Sequence, residues 1–273
     1  MPTLFAISDL HLNYAANREI AAALAPDSPD DWLIVAGDIA HDLDAIAGFL
    51  ADMRARFAQV LFAPGNHDLW SRGDLGLSGA HRYAHLVDLC HQLGVVTPED
   101  PYPVWDDPAG PVAVAPLFLL YDYSLRPDGT TKEQAMEAAR RARVVCSDEL
   151  MLRADPFRDK ESWFADRLER TRAKLDALPP GTRTVLASHW PLHPGPVARL
   201  RHPEFAIWCG ARATADWHLR YRAVCCVHGH LHIPISEEID GVPHKEVSIG
   251  YPRERAARTR PVAYGLRRVL TTS

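Results

Sequence analysis

A chain of 273 residues with 47% apolar and 24% charged side chains can bury a sizeable core, which excludes disorder as its main state. Its 30 Lys and Arg against 35 Asp and Glu leave a net charge of −5, which excludes a globally basic nucleic-acid binder. The 14 His outnumber both the 8 Phe and the 8 Tyr, and His is the commonest metal ligand and proton carrier.

Short apolar runs at residues 4–8, 32–36, 60–63, 112–116, 184–188 and 223–227 predict buried strands. Helical periodicity at 18–24, 44–57 and 80–93 alternates with them, which predicts an α/β sandwich whose first sheet is largely parallel. Two charged stretches, 132–152 and 161–178, predict helices of a helical insertion spanning about 124–178, closed by Pro179-Pro180-Gly181. Beyond residue 223 the pattern turns β-rich, with antiparallel strands predicted at 233–239, 244–249 and 263–269. Asp240-Gly241 supplies a hairpin turn between the first two. With no repeat and no low-complexity linker, the expectation is one domain over 1–273.

The longest apolar stretch, 112–121, contains Pro116 and falls short of the roughly 20 residues that cross a bilayer. The opening Met-Pro-Thr-Leu-Phe-Ala-Ile-Ser carries no basic stretch of an export signal. Five Cys, an odd number without Cys-x-x-Cys spacing, predict reduced thiols and a cytoplasmic protein. Cys225 and Cys226 sit in an apolar run, where thiols behave as small hydrophobes.

Five predicted strand ends terminate in metal-ligand chemistry: Asp9-Leu10-His11, Gly37-Asp38, Gly65-Asn66-His67-Asp68, Ser188-His189 and Gly229-His230-Leu231-His232. In open α/β sheets, ligands bind in the crevice beyond the carboxyl ends of the strands, where all five loops can converge. Taken singly, Asp-x-His is usually a surface loop and Gly-Asp a turn. The ordered set of five is far more specific than any member.

Together these motifs resemble the calcineurin-like metallophosphoesterase signature, over residues 9 to 232. The resemblance implies a four-layer sandwich, two mixed β-sheets flanked by helices, with two metals at the sheet edge. It assigns one metal to Asp9, His11, Asp38 and His232, and the other to Asp38, Asn66, His189 and His230, with Asp38 bridging. One departure is visible. The family often has Asp or Arg three residues after the bridging Asp, where this chain has His41.

Charge supports that assignment independently. Two Asp against two divalent ions leave a site of net positive charge, suited to a phosphate anion. Two metals roughly 3.5–4 Å apart can clamp both oxygens of an in-line displacement and activate water. Oxygen and nitrogen donors without thiolate suit two transition-metal ions, Mn²⁺ or Fe ahead of Zn²⁺, rather than Ca²⁺ or Mg²⁺. His67, beside ligand Asn66 but outside the ligand set, is the candidate general acid for the leaving oxygen. Asp68 either orients His67 or caps the segment that follows. His193 either reaches the substrate or is a structural loop histidine, and His41 and His228 carry either supporting or surface roles. Gly73-x-x-Gly76-x-x-Gly79 lacks the Lys-Ser/Thr of a P-loop and reads as a flexible turn.

A second layer of motifs narrows the substrate. Ser188-His189-Trp190-Pro191-Leu192-His193-Pro194-Gly195-Pro196, Trp208-Cys209-Gly210, Thr214-Ala215-Asp216-Trp217-His218 and Gly250-Tyr251-Pro252-Arg253-Glu254 join the histidine motif. This set is similar to the actinobacterial 4'-phosphopantetheinyl hydrolases, metallophosphoesterases that strip 4'-phosphopantetheine from acyl carrier proteins. The resemblance implies acyl carrier protein as substrate and partner. Residues 251–273 hold six Arg and one Glu, a +5 segment on a −5 chain. Such a strip either steers an acidic partner, as carrier proteins are around their modified serine, or is a solvated tail. Two other classes stay open: a small-molecule phosphodiesterase (of cyclic nucleotides or a nucleotide-linked pyrophosphate) and a non-catalytic binding protein on the same fold. The intact ligand set argues against the latter.

Overall fold

The computed structural model describes residues 1–71, 76–258 and 264–272. In chain order the first half runs β1 (Thr3–Ile7), α1 (Ala15–Ala22), β2 (Trp32–Val35), α2 (Leu43–Arg56), β3 (Gln59–Phe62), α3 (Asn66–Leu69), α4 (Gly79–Leu93), β4 (Val104–Trp105) and β5 (Val112–Leu117). Next come α5 (Lys132–Arg141), α6 (Asp148–Met151), α7 (Lys160–Asp176), β6 (Arg183–Ser188), α8 (Trp217–Arg220) and β7 (Ala223–His228). The chain closes with β8 (Ser236–Ile239), β9 (Val242–Glu246), α9 (Pro252–Ala256) and β10 (Arg267–Thr271).

Two mixed sheets form, ordered β10-β1-β2-β3 and β4-β5-β6-β7-β9-β8. Strand alternation divides the side chains between two apolar layers. Leu4, Ala6, Ile34, Ala36 and Leu61 of the first sheet share an inter-sheet core with Val112, Val114, Val185, Ala187, Cys225 and Val227 of the second. Their neighbours Phe5, Ile7, Leu33, Val35 and Phe62 join buried side chains of α2 and α4, including Ile46, Leu50, Met53 and Leu86. The result is helix, sheet, sheet, helix. At one edge the sheets are stitched together: Ser8 N–H donates to Val247 O (3.1 Å), and Ile249 N–H donates to Ser8 O (3.0 Å). All five cysteines are free and buried. No helix among the described residues is long and apolar enough to cross a membrane.

Three expectations are corrected by the backbone. Strand β9 is antiparallel to β8 but parallel to β7, so it adds to the parallel sheet as well as closing a hairpin. That hairpin turns at Asp240 (φ 50°) and Gly241 (φ 79°), the paired left-handed residues of a type I′ turn. The helix expected over 132–152 breaks into α5 and α6. Arg143 takes a left-handed φ of 59° at the end of α5, where Arg143 N–H meets Arg140 O and Val144 N–H meets Ala139 O. These bonds satisfy the terminal carbonyls as a Schellman turn does, here without the usual Gly. Finally, β10 begins at Arg267 and pairs antiparallel with β1. Residue 263 of the expected strand lies outside the described residues, as do 72–75 of the glycine-spaced turn.

Candidate metal centre

The loops after β1, β2, β3, β6 and β7 converge, and backbone bonds lock them edge to edge. Asp9 N–H donates to Gly37 O (3.0 Å), His11 N–H to Asp38 O (3.0 Å) and Gly229 N–H to His189 O (3.0 Å). Five of the seven candidate ligands have left-handed backbone: Asp9 (φ 53°), His11 (42°), Asp38 (58°), His230 (70°) and His232 (55°). Non-glycine residues held there cost of order 1–3 kcal/mol each and persist only where the surroundings over-determine them. The motif glycines explain the close approach. A Cβ on Gly65 would lie 2.2 Å from Asp38 Oδ1, and one on Gly229 would lie 2.3 Å from Asp9 Oδ2.

The donor atoms form two adjoining groups. Asn66 Oδ1, His189 Nε2 and His230 Nδ1 make a triangle with sides of 3.0, 3.2 and 3.2 Å. Two ligands on bonds of about 2.1 Å at 90–100° sit roughly 3.0–3.2 Å apart, so this spacing is that of one coordination sphere. His232 Nε2 lies 3.0 Å from Asp9 Oδ1 and 3.1 Å from His11 Nε2. Asp38 Oδ2 stands between the groups, 3.5 Å from His189 Nε2 and 4.0 Å from His11 Nε2.

Three histidines have their other ring nitrogen against an acceptor: His189 Nδ1 on Ala36 O (2.9 Å), His230 Nε2 on Trp208 O (3.1 Å) and His232 Nδ1 on Glu254 (2.7 Å). With the proton on that side, the lone pair faces the cluster. Burial pushes the Asp38 carboxyl well above its ordinary range, helped by the carboxylates of Asp9 and Asp68. Burial likewise pushes the imidazoles of His11, His189 and His230 down. Burial opposes the charged form of His232 too, but Asp9 and Glu254 beside it hold that imidazole well above its ordinary range. Three neutral imidazoles beside two crowded carboxylates are a donor set that bound cations complete, so the residues fit a two-metal site.

The Calcineurin-like phosphoesterase family model matches residues 2–234. This chain belongs to the calcineurin-like phosphoesterase family. The family implies a dinuclear metal site, and this chain brings Asp and His side chains together in groups that could hold ions. The phosphoesterase is 48% identical over 272 residues to [Acyl-carrier-protein] phosphodiesterase PptH of Mycobacterium tuberculosis, covering 98% of this chain and 83% of that protein. It is also similar to the crystal structure of Phosphopantetheinyl Hydrolase (PptH) from Mycobacterium tuberculosis. There the TM-score is 0.94 at 48% identity, over 98% of this chain and 96% of that one.

Around this phosphoesterase's cluster, some supporting roles differ from the sequence reading. Asp68 does not face the His67 ring. Its carboxylate accepts backbone N–H groups of Asp38 (2.8 Å), Ile39 (2.9 Å), Ala40 (3.3 Å) and Gly65 (2.8 Å). It shapes the Asp38 loop and caps α3, and burial pushes its carboxyl up to about 6 against those donors. His67 is held instead by stacking on Trp70, ring centroids 3.7 Å apart, with its Nε2 3.3 Å from the Tyr251 hydroxyl and 3.9 Å from Asp38 Oδ2. His41 also rests against Trp70, ring centroids 5.9 Å apart, and lies 6.0 Å from the His67 ring. His228 is buried, with Nδ1 3.2 Å from Gly229 O, which rules out a surface role. His193 rests against His218 and His244 rather than the cluster.

Residues outside the sequence-derived set complete the frame. Asp148 accepts from Asn66 Nδ2 (2.9 Å) and Trp70 Nε1 (2.7 Å), fixing the Asn66 amide with its oxygen toward the cluster. Glu254 accepts from Tyr251 N–H (2.9 Å) as well as His232. Pro252 followed by Glu254 is a readable helix-start signal, whereas nothing local in the sequence marks Asp148. Two of the C-terminal arginines, Arg255 and Arg258, brace the frame, while Arg268 makes an exposed ion pair. Arg255 donates to Gly250 O (2.8 Å), Arg258 to His232 O (2.5 Å), and Arg268 to Asp27 (2.5 Å). Arg260 lies outside the described residues.

Proposed function

We propose that Asp9, His11, Asp38 and His232 hold one transition-metal ion and Asp38, Asn66, His189 and His230 a second, Mn²⁺ or Fe ahead of Zn²⁺. We further propose that the chain hydrolyses the phosphodiester joining 4'-phosphopantetheine to the serine of holo acyl carrier protein. The observation that carries this reading is 48% identity, over 98% of the chain, to a protein named for that activity. Bound metals neutralise phosphate charge and lower the pKa of water. In the balanced reaction a water oxygen bonds to phosphorus, and the serine oxygen leaves with a proton. His67 Nε2, beside Asp38 and within reach of the Tyr251 hydroxyl, is the group proposed to give that proton. Trp70 keeps the ring in plane for it, while the Asp68 contacts keep Asp38 between the two donor groups.

Incubating holo carrier protein with the enzyme and Mn²⁺ tests the proposal. Mass spectrometry should show apo carrier protein and free 4'-phosphopantetheine. Survival of holo carrier protein while a small nitrophenyl diester is cleaved would replace this reading with a small-molecule diesterase. A cytoplasmic location is part of the proposal, supported by five buried free thiols.

A further inference from the structure

The bond proposed for cleavage is attached directly to a carrier-protein serine. The carrier's folded body must therefore come within one side chain's length of the metal cluster, and its docking surface must border it. The turn formed by residues 140–153 touches the residues that frame the cluster. On its inner side Asp148 holds Asn66 and Trp70, and Glu149 accepts from Trp208 Nε1 (2.8 Å) and the Tyr123 hydroxyl (2.7 Å). The Trp208 carbonyl in turn meets His230. Two successive residues of α6 thus hold candidate ligand Asn66 and the Trp208 whose carbonyl meets candidate ligand His230.

The outer side is left to solvent. Leu150, two residues past Asp148 and so roughly 200° around a helix, is 82% exposed, and Val145 before the same turn is 79% exposed. They are the most exposed large hydrophobic side chains of the described residues, Met1 apart from its terminal position being next at 78%. Arg140, Arg141, Arg143 and Arg153 surround them, all exposed. The side chains of Arg143 and Arg153 have no hydrogen bond or ion pair among the described residues, and Arg140 and Arg141 share the single acid Glu137. Unbraced cations beside an apolar pair contrast with Arg255 and Arg258, whose donors hold carbonyls of the metal-centre frame.

We propose that residues 140–153 are the surface on which the carrier protein docks, Val145 and Leu150 meeting its apolar side chains and the four arginines its acidic ones. This rests on the carrier-protein reading above. Docking here would press α6 against Asn66 and Trp208, so the partner seats itself on the segment that steadies the cluster.

The test compares kcat/KM on holo carrier protein with kcat/KM on a nitrophenyl diester for wild type, Arg143→Glu/Arg153→Glu and Val145→Ser/Leu150→Ser. Both variants should lower the ratio of the two at least tenfold through KM for the carrier. Charge reversal should also flatten the salt dependence of the carrier reaction. An unchanged ratio overturns the docking surface, and so does an equal loss on both substrates, which would make the turn a support for Asn66 alone. A dimer that Val145→Ser/Leu150→Ser turns into a monomer, with the ratio unchanged, overturns it in favour of a second copy of this chain. Wild type that spares holo carrier protein but cleaves the diester overturns the functional reading itself.

Discussion

Glu254 offers a test of the metal centre that leaves every candidate ligand in place. Its carboxylate accepts His232 Nδ1–H at 2.7 Å, directing Nε2 to a point 3.0 Å from Asp9 and 3.1 Å from His11. Burial opposes ionisation of Glu254, yet His232 and the Tyr251 N–H hold its carboxyl below the ordinary range, so it is charged at neutral pH. Removing such a partner typically costs 10–100-fold in metal affinity, about 1.4–2.7 kcal/mol. Glu254→Ala should therefore need about 10–100-fold more Mn²⁺ for half-maximal diester hydrolysis when metal-free protein is titrated. Glu254→Gln keeps an acceptor oxygen but loses the charge, and should fall between the two. Saturating Mn²⁺ should restore most of kcat in both, because His232 itself remains. The lost bond to Tyr251 N–H is a separate effect of about 1 kcal/mol, read by urea unfolding in chelator. Unchanged Mn²⁺ affinity in Glu254→Ala would refute the claim that this carboxylate sets the His232 tautomer.

The parallel strands and the five ligand loops were legible because each is a local pattern: an apolar run, then Gly or Ser, then a polar ligand. The glycines carry a packing meaning that the pattern alone does not state, since Gly65 and Gly229 leave room for Asp38 and Asp9. Contacts between distant segments were not legible. Asp148 and Asn66 are 82 residues apart, and Asp148 looks like any acid at a helix start. The break at Arg143 escaped for another reason: the left-handed cap normally announces itself with Gly, and here an Arg takes the conformation. Charge counting left the C-terminal segment open between a steering strip and a solvated tail. A net +5 records how many arginines are present but not that Arg255 and Arg258 already face carbonyl oxygens. Of the two roles open to Asp68, orienting His67 or capping the next segment, its contacts are those of the cap: in α3 successive side chains diverge by about 100°, which turns its carboxylate to Gly65 N–H and the Asp38 loop.

Asp38→Asn should lower metal content measured by mass spectrometry and cost more activity than the 10–100-fold of a supporting residue, because Oδ2 faces both donor groups. Two metals per chain with wild-type activity would contradict that placement. His67→Ala should keep both metals but lower kcat roughly 10²–10⁴-fold for an alkoxide leaving group, and much less for nitrophenolate, which needs no proton. An equal loss on both would assign His67 to charge stabilisation instead. The last prediction concerns stability and pH, away from the cluster. His244 is 1% exposed, and neither ring nitrogen has a hydrogen-bond partner among the described residues. Burial, with His228, His218 and His193 nearby and only Asp240 opposing them, pushes its imidazole down to about 3. Below its ordinary 6.5, the unfolded chain binds a proton that the folded chain refuses. Its contribution is therefore fully present above pH 6.5 and is lost as pH falls toward 3, by about 2 kcal/mol between pH 7 and pH 5. Urea unfolding in chelator, where metal release cannot contribute, should show His244→Leu losing about that much less stability than wild type across this interval. Parallel pH profiles for the two proteins would mean that His244 is protonated in the folded state, contrary to its burial.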